Sequence, residues 1–177
     1  MSINLEDIDF YEVLLDEGGI YYAEIYQLNK ESVNEWLREN LRTYGTFNSY
    51  ADVTPQKDVI TYMTKNGYEH IDSQCHYSAK RINQIDPNYT YVTGFVFRAQ
   101  YPYPIITHSF NFKDGNVLDF ARFEEEFTTI TDDETLPHHY YGIEIPHEFV
   151  ENFTQESIEE KSMKPLLFEW LIANNIR

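Results

Sequence analysis

Apolar side chains recur at helical spacing in the first third of the chain. Between residues 3 and 15 they are mixed with Glu and Asp, which predicts a short helix. Ser32 and Glu35 have the spacing of a capping box, so a second helix is expected to start directly after Ser32 and to stop near Gly45. Residues 20–28 fit a strand or a helix equally well, because their periodicity does not separate the two.

Two more helices are expected in the middle of the chain. The polar residues 46–55 predict a loop, and residues 57–65 predict a short helix that is closed by an Asn-Gly pair. Asp72 or Ser73 can cap a further helix from about Cys75 to Ile85, which the following Asp-Pro-Asn sequence stops.

An antiparallel meander is the expected continuation of this helix. Residues 89–97 are rich in aromatic and β-branched side chains and predict a strand. Residues 105–112 predict a second strand, Asp114-Gly115 is a hairpin turn signal, and residues 116–120 predict a third strand.

The last part of the chain combines an acidic run, a strand and two helices. The segment 123–137, which is rich in Asp and Glu, is interpreted as a surface loop or a frayed helix. Residues 140–146 predict another strand. Helices are expected from Thr154 through about Lys161 and again after Ser162. With no internal repeat and no low-complexity linker, the pattern predicts one α+β domain over residues 1–177.

Composition narrows the classes of partner. The formal net charge is −17, from 30 acidic and 13 basic side chains, which argues against direct binding of nucleic acid or of an anionic membrane. The charge favours a basic protein partner, and it would also suit a protein that imitates DNA. Solubility alone is the simpler explanation of the same charge.

The compartment is inferred from the N-terminus and from the cysteine count. The first residues carry no basic start and no apolar run, so no export signal is expected, and no stretch is apolar enough to span a bilayer. A single cysteine suits a reducing compartment, so a cytoplasmic location is predicted, in the host cytoplasm if a phage encodes the chain.

The single cysteine, Cys75, is the strongest candidate for chemistry. It stands where a helix is expected to begin, and the partial positive charge of a helix N-terminus stabilises a thiolate. His108 lies on a predicted strand, and Asp119 lies on the strand that follows the Asp114-Gly115 turn, roughly opposite His108. This order allows His108 to accept the thiol proton and Asp119 to orient the imidazole.

Four other polar groups are candidates for positioning a substrate. The backbone N–H of Cys75 and the side chain of Gln74 adjoin the nucleophile and are candidate oxyanion donors. Asn111 and Tyr141 are the further candidates for contacts with the substrate.

Several short stretches together resemble the transglutaminase-like branch of the papain-like cysteine enzymes, in particular its small phage and bacterial members. The stretches, in chain order, are Gln74-Cys75-His76-Tyr77-Ser78-Ala79, Tyr91-Val92-Thr93-Gly94-Phe95, His108-Ser109-Phe110-Asn111, Asp114-Gly115-Asn116-Val117-Leu118-Asp119 and Tyr140-Tyr141-Gly142-Ile143. The resemblance covers about residues 73–146. It implies a papain-like core over about residues 57–146, with helical additions at both ends.

The same resemblance implies roles for three residues. Cys75 resembles the nucleophile, His108 the general base and Asp119 the orienting acid, on a helix packed against an antiparallel sheet. Phe110 departs from the pattern, since Trp is commoner there, and so does Phe120, where a small or hydroxyl residue is commoner. Both departures concern the shape of the substrate pocket.

Other interpretations of these residues remain open. A lone cysteine is frequently a buried core residue, and His108 can be a hydrogen-bonded strand histidine. A metal site at His138, His139 and His147 is not expected, because adjacent strand histidines point to opposite faces of a sheet. His76 adjoins the cysteine, but His108 is preferred as its base because neighbouring helical side chains diverge.

The sequence thus predicts thiol-dependent acyl transfer at an amide, by a protease, a deamidase or a transglutaminase-like enzyme that acts on a protein and requires no cofactor. The alternative is a non-enzymatic acidic binding protein of phage type, such as a DNA mimic or an inhibitor of a host factor.

Overall fold

The computed structural model describes residues 4–15, 27–71, 74–98, 104–121, 137–154 and 164–176. Within these ranges the fold is mixed α+β. The α-helices are α1 (Phe10–Leu14), α2 (Lys30–Asn40), α3 (Lys57–Lys65), α4 (Cys75–Ile85), α5 (His147–Thr154) and α6 (Leu167–Ala173). The strands are β1 (Arg42–Phe47), β2 (Thr90–Phe97), β3 (Ile105–Lys113), β4 (Asn116–Leu118) and β5 (His138–Ile145). Two 3₁₀ helices span Leu5–Asp7 and Tyr50–Asp52.

The five strands form one antiparallel sheet in the order β1-β5-β2-β3-β4. The predicted meander is confirmed for β2, β3 and β4, where a left-handed Asp114 and Gly115 make the turn between the last two strands. Strand β5 does not continue the meander. It returns to the other edge of β2, so the last of the described strands lies inside the sheet.

The two faces of the sheet bury different groups. On one face, apolar side chains of β2, β3 and β5 pack into a cluster with Val53 and Val117; these strand residues are Val92, Val96, Phe110 and Tyr140. On the other face, Ala79 of α4 and Tyr91 of β2 pack with residues from β5, α5 and the segment before α6, namely Ile145, Val150 and Leu166. Helix α4 therefore lies across β2 and β3, and its first residue reaches the site described below.

The helices α3 and α4 are confirmed with the predicted bounds. The prediction was wrong for the start of α2 and for the residues that follow this helix. The second helix begins at Lys30 and ends at Asn40, with Asn29 rather than Ser32 as its N-cap. Arg42–Phe47, expected as the end of that helix and the start of a loop, is strand β1. The strand is formed through pairing with β5, a contact that the local pattern does not encode.

Smaller differences concern element ends. The segment 3–15 divides into a 3₁₀ turn and the five-residue α1, and β4 stops at Leu118, so Asp119 follows the strand instead of lying on it. Helix α5 ends at Thr154, where a helix was expected to begin. Most of residues 20–28 and the acidic run after Ala121 lie outside the described residues, as do the predicted caps Asp72 and Ser73.

Candidate active site

Cys75 is the first residue of the eleven-residue helix α4, as the sequence predicts. Gln74 occupies the N-cap position, and the first turn contains no acidic side chain. The partial positive charge at this end of the helix therefore lies beside Cys75 without a competing acidic side chain in the first turn.

Strand β3 places alternate side chains on opposite faces of the sheet. Ser109 and Asn111 point towards α4, while His108 lies on the other face, beside the rings of Phe110 and Tyr140. Pairing with β4 covers only Asn111 to Lys113, so the described strands leave the edge of β3 free at His108. At this edge the imidazole of His108 forms a hydrogen bond with the Cys75 thiol.

Asp119 completes this chain of contacts. Its Oδ2 lies 2.7 Å from Nε2 of His108, which leaves Nδ1 of the imidazole for Cys75. The hydroxyl of Tyr140 also donates to Oδ2, at 2.7 Å, and the backbone N–H of Ala121 donates to Oδ1. The carboxylate is fully buried, and these donors offset the loss of its hydration.

The register of the hairpin refines the predicted pairing of His108 and Asp119. Leu118 pairs with Asn111, so the position across from Asp119 is that of Phe110, and His108 lies diagonally beyond it. Diagonal neighbours on one face are still within reach of long side chains, and the measured contact fits that geometry.

The electrostatics of the site favour a charged pair. Burial raises the pKa of Cys75, but the positive charges of His76 and His108, with their hydrogen bonds, outweigh burial and hold the pKa of the thiol well below its ordinary value. Burial likewise lowers the pKa of His108, but the charges of Asp119 and Cys75 raise it to about 10. The site therefore favours a thiolate beside an imidazolium.

His76 is a second imidazole at the thiol, which the sequence argument set aside. Its Nδ1 lies 2.6 Å from Oγ of Ser109 and its Nε2 lies 3.5 Å from Oγ1 of Thr107, so two hydroxyls of β3 hold the ring. In this position it forms a hydrogen bond with Cys75. The expected divergence of neighbouring helical side chains does not keep His76 from Cys75, because Cys75 is the first helical residue and the hydroxyls of β3 hold the His76 ring beside it.

The predicted positioning residues lie in different places. Gln74 adjoins Cys75 and is partly buried. Asn111 is buried, and its Nδ2 donates to the backbone oxygen of Ala79, so it joins β3 to α4. Tyr141 points to the opposite face of β5 from Tyr140, and Tyr140 is the residue that contacts Asp119.

A buried lysine lies near the same end of the molecule. Lys80 of α4 donates from Nζ to the backbone oxygen of Lys164 at 2.7 Å. Burial lowers its pKa to about 7, although the negative charges of Glu169 and Cys75 oppose that shift. Within the described ranges no cluster of His, Cys, Asp and Glu side chains could hold a metal ion, and no helix there has the length and apolar character needed to cross a membrane.

Comparison with known proteins identifies no relative. The chain matches no protein-family model, no curated protein and no solved structure. The functional interpretation below therefore rests on the residues and on their geometry.

Proposed function

We propose that Cys75, His108 and Asp119 form a catalytic triad for thiol-dependent acyl transfer at an amide. The observation that carries the proposal is the continuous chain of contacts from the thiol to His108 and on to Asp119, the last step measuring 2.7 Å. The resemblance of residues 73–146 to the transglutaminase-like branch of papain-like enzymes supports the same assignment.

The chemistry follows from the position of each group. The Cys75 thiolate attacks the carbonyl carbon of an amide, and the backbone N–H groups at the start of α4 face the oxyanion that forms. The His108 imidazolium then donates its proton to the leaving nitrogen as the C–N bond breaks, which leaves a thioester on Cys75. Asp119 holds the ring so that Nδ1 faces the sulfur.

The fate of the thioester defines the kind of enzyme. Transfer to water gives a protease or a deamidase, and transfer to an amine gives a cross-linking enzyme. The net charge of −17 favours a basic protein as the substrate, and the composition favours the cytoplasm, or the host cytoplasm for a phage protein, as its compartment.

A non-enzymatic role is the second candidate, and the charge is the observation that favours it. A strongly acidic protein can occupy the basic surface of a DNA-binding protein or of a host factor. In that role the thiol at the start of α4 would need no activation.

The rate of Cys75 alkylation by iodoacetamide between pH 5 and 8 separates the two candidates. An ordinary thiol with a pKa near 8.5 is only about 3% thiolate at pH 7 and slows tenfold for each lower pH unit. We expect Cys75 to stay reactive across this range, because the pair with His108 keeps the sulfur ionised. Since the chain has one cysteine, a single added carbamidomethyl group in the mass spectrum reports this site alone.

Two histidine variants complete that experiment. His108→Gln should raise the pKa of the thiol and slow its alkylation at low pH, although His76 remains beside the sulfur. His139→Gln should change neither, because His139 contacts Thr46 on β1 instead. Near-ultraviolet circular dichroism checks that both variants fold. Ordinary pH dependence in the wild type, unchanged by His108→Gln, would reject the triad and favour the binding protein.

A further inference from the structure

The hydroxyl groups behind His76 define which nitrogen of its ring is free. Ser109 donates its single hydroxyl proton to Oγ1 of Thr93 at 3.0 Å. Its Oγ can therefore only accept from His76, so the hydrogen of the neutral imidazole lies on Nδ1, 2.6 Å away. The lone pair is left on Nε2, whose contact with Thr107 is long at 3.5 Å.

The network that holds Ser109 is itself buried and well connected. The hydroxyl of Tyr91 lies 3.2 Å from Oγ of Ser109, and the backbone N–H of Leu166 donates to the same tyrosine. Ser109, Thr93 and Tyr91 are all buried. This support fixes the orientation and the tautomer of the His76 ring. Ser109 thus does for His76 what Asp119 does for His108.

The two imidazoles at Cys75 therefore differ in their hydrogen-bond partners. His108 is bound to a carboxylate and is held as a proton donor, which suits the departure of the amine. His76 is bound to hydroxyls, and once a thioester has replaced the thiolate, its neutral ring offers the Nε2 lone pair, which suits the acceptance of a proton. His76 is also partly exposed, so an incoming acceptor can reach it, whereas His108 is buried.

We propose that His76 is a second catalytic imidazole, which accepts the proton of the acyl acceptor when the Cys75 thioester is broken down. This inference rests on the proposed acyl transfer. Water or an amine attacks the thioester carbonyl carbon, its proton passes to Nε2 of His76, and the new C–O or C–N bond forms. The tetrahedral intermediate then collapses and the C–S bond breaks. The released thiolate takes the proton from His76 and passes it to His108, which gave its own proton to the leaving nitrogen, so the thiolate again lies beside the His108 imidazolium.

The experiment follows the decay of a thioester on Cys75. Excess p-nitrophenyl acetate acetylates the thiol, and the product is recognised by mass and by its removal with hydroxylamine. After removal of the reagent at pH 8, loss of the acetyl group is compared among wild type, His76→Asn and His139→Asn. Asn places an amide close to the position of Nδ1 and keeps the contact with Ser109, but it cannot accept the proton.

We expect decay about a hundredfold slower in His76→Asn, the usual scale of a general base, and within twofold of wild type in His139→Asn. His139 is the matched control because its Nδ1 also lies 2.7 Å from a hydroxyl, that of Thr46. Equal decay in wild type and His76→Asn would overturn the proposal, as would wild-type decay no faster than that of the urea-unfolded protein.

Alkylation at the same pH separates this inference from the proposed function. An ordinary thiol with a pKa near 8.5 is already about one quarter thiolate at pH 8, so loss of His76 can slow alkylation only about fourfold. Slow decay with nearly normal alkylation therefore supports a base and not a merely structural role. Fast low-pH alkylation with unchanged decay would reject the role of His76 and leave the triad standing.

Discussion

At the scale of single residues, Lys80 is a buried lysine, an uncommon environment for a charged side chain. Its exposed fraction is 1%, and burial lowers its pKa to about 7 from an ordinary value near 10.4. The folded state therefore releases the proton before the unfolded state does. Below pH 7 both states bind the proton and the folded state bears the whole cost of a buried charge, and this cost disappears as the pH rises towards 10.4.

Lys80→Met should reduce that pH dependence. The difference in free energy of unfolding between the variant and wild type should favour the variant by roughly 3 kcal/mol more at pH 6.5 than at pH 9.5. This figure follows from the difference in pKa between the folded and unfolded states. Urea unfolding at both pH values measures this difference between the variant and wild type. Lys65→Met, at an exposed position of α3, is the control. If the difference between the variant and wild type were the same at both pH values, the lowered pKa of Lys80 would be contradicted.

The residues of the site differ in how far the sequence could specify them. Cys75, His108 and Asp119 could be named because local signals predict the helix that begins at Cys75 and the hairpin that brings His108 and Asp119 together. Tyr140 could not be chosen over Tyr141, because one residue of register decides which side chain faces Asp119. His76 was considered and set aside, because its position depends on Ser109, thirty-three residues away.

At the scale of elements, the close approach of β2 and β5 limits what the sheet tolerates. Gly94 pairs with His108 on one side and with Gly142 on the other. A Cβ on Gly94 would lie 2.3 Å from the backbone oxygen of Tyr141 and 2.6 Å from Cα of Gly142. The strands cannot keep this separation with any larger residue, and β2 is the strand that holds β3 in place.

Gly94→Ala should therefore destabilise the protein by about 3 kcal/mol or more, since backbone atoms must move to admit the methyl group. Gly115→Ala is the matched control, because a Cβ there meets nothing within 4 Å and only the positive φ of 79° adds strain, about 1 kcal/mol. Urea unfolding gives both values. A cost for Gly94→Ala no larger than for Gly115→Ala would show that the sheet can separate at this point.

The elements that were predicted well are those with strong local signals. Helix α4 ends where Asp-Pro-Asn stops it, and β3 and β4 are joined by Asp-Gly. Strand β1 carries Arg, Thr and Gly, is mostly exposed or half-buried, and depends on β5 for its hydrogen bonds. Such an edge strand lacks the alternation of apolar and polar side chains from which a strand is predicted.

At the scale of the whole molecule, charge repulsion opposes folding. With a net charge of −17 the compact state brings many carboxylates together, and salt screens their repulsion. We expect the urea midpoint at pH 7.5 to rise when NaCl is increased from 10 to about 300 mM, as the screening length falls from about 30 Å to below 10 Å.

The control for this prediction is the same salt series near pH 4.5, the isoelectric point, where the net charge vanishes. The rise should then be small or absent. A rise of equal size at both pH values would indicate a general effect of salt on apolar burial instead.

The place of β5 inside the sheet has a consequence for the order in which the molecule can assemble. Tyr44 of β1 meets Glu144 of β5, exactly one hundred positions later, so β1 leaves the ribosome long before its partner exists. Contacts this distant slow folding, because a long loop must close before they form. The Tyr140 hydroxyl that supports Asp119 arrives with the same strand, so during synthesis the thiol-bearing helix precedes the complete site by more than fifty residues.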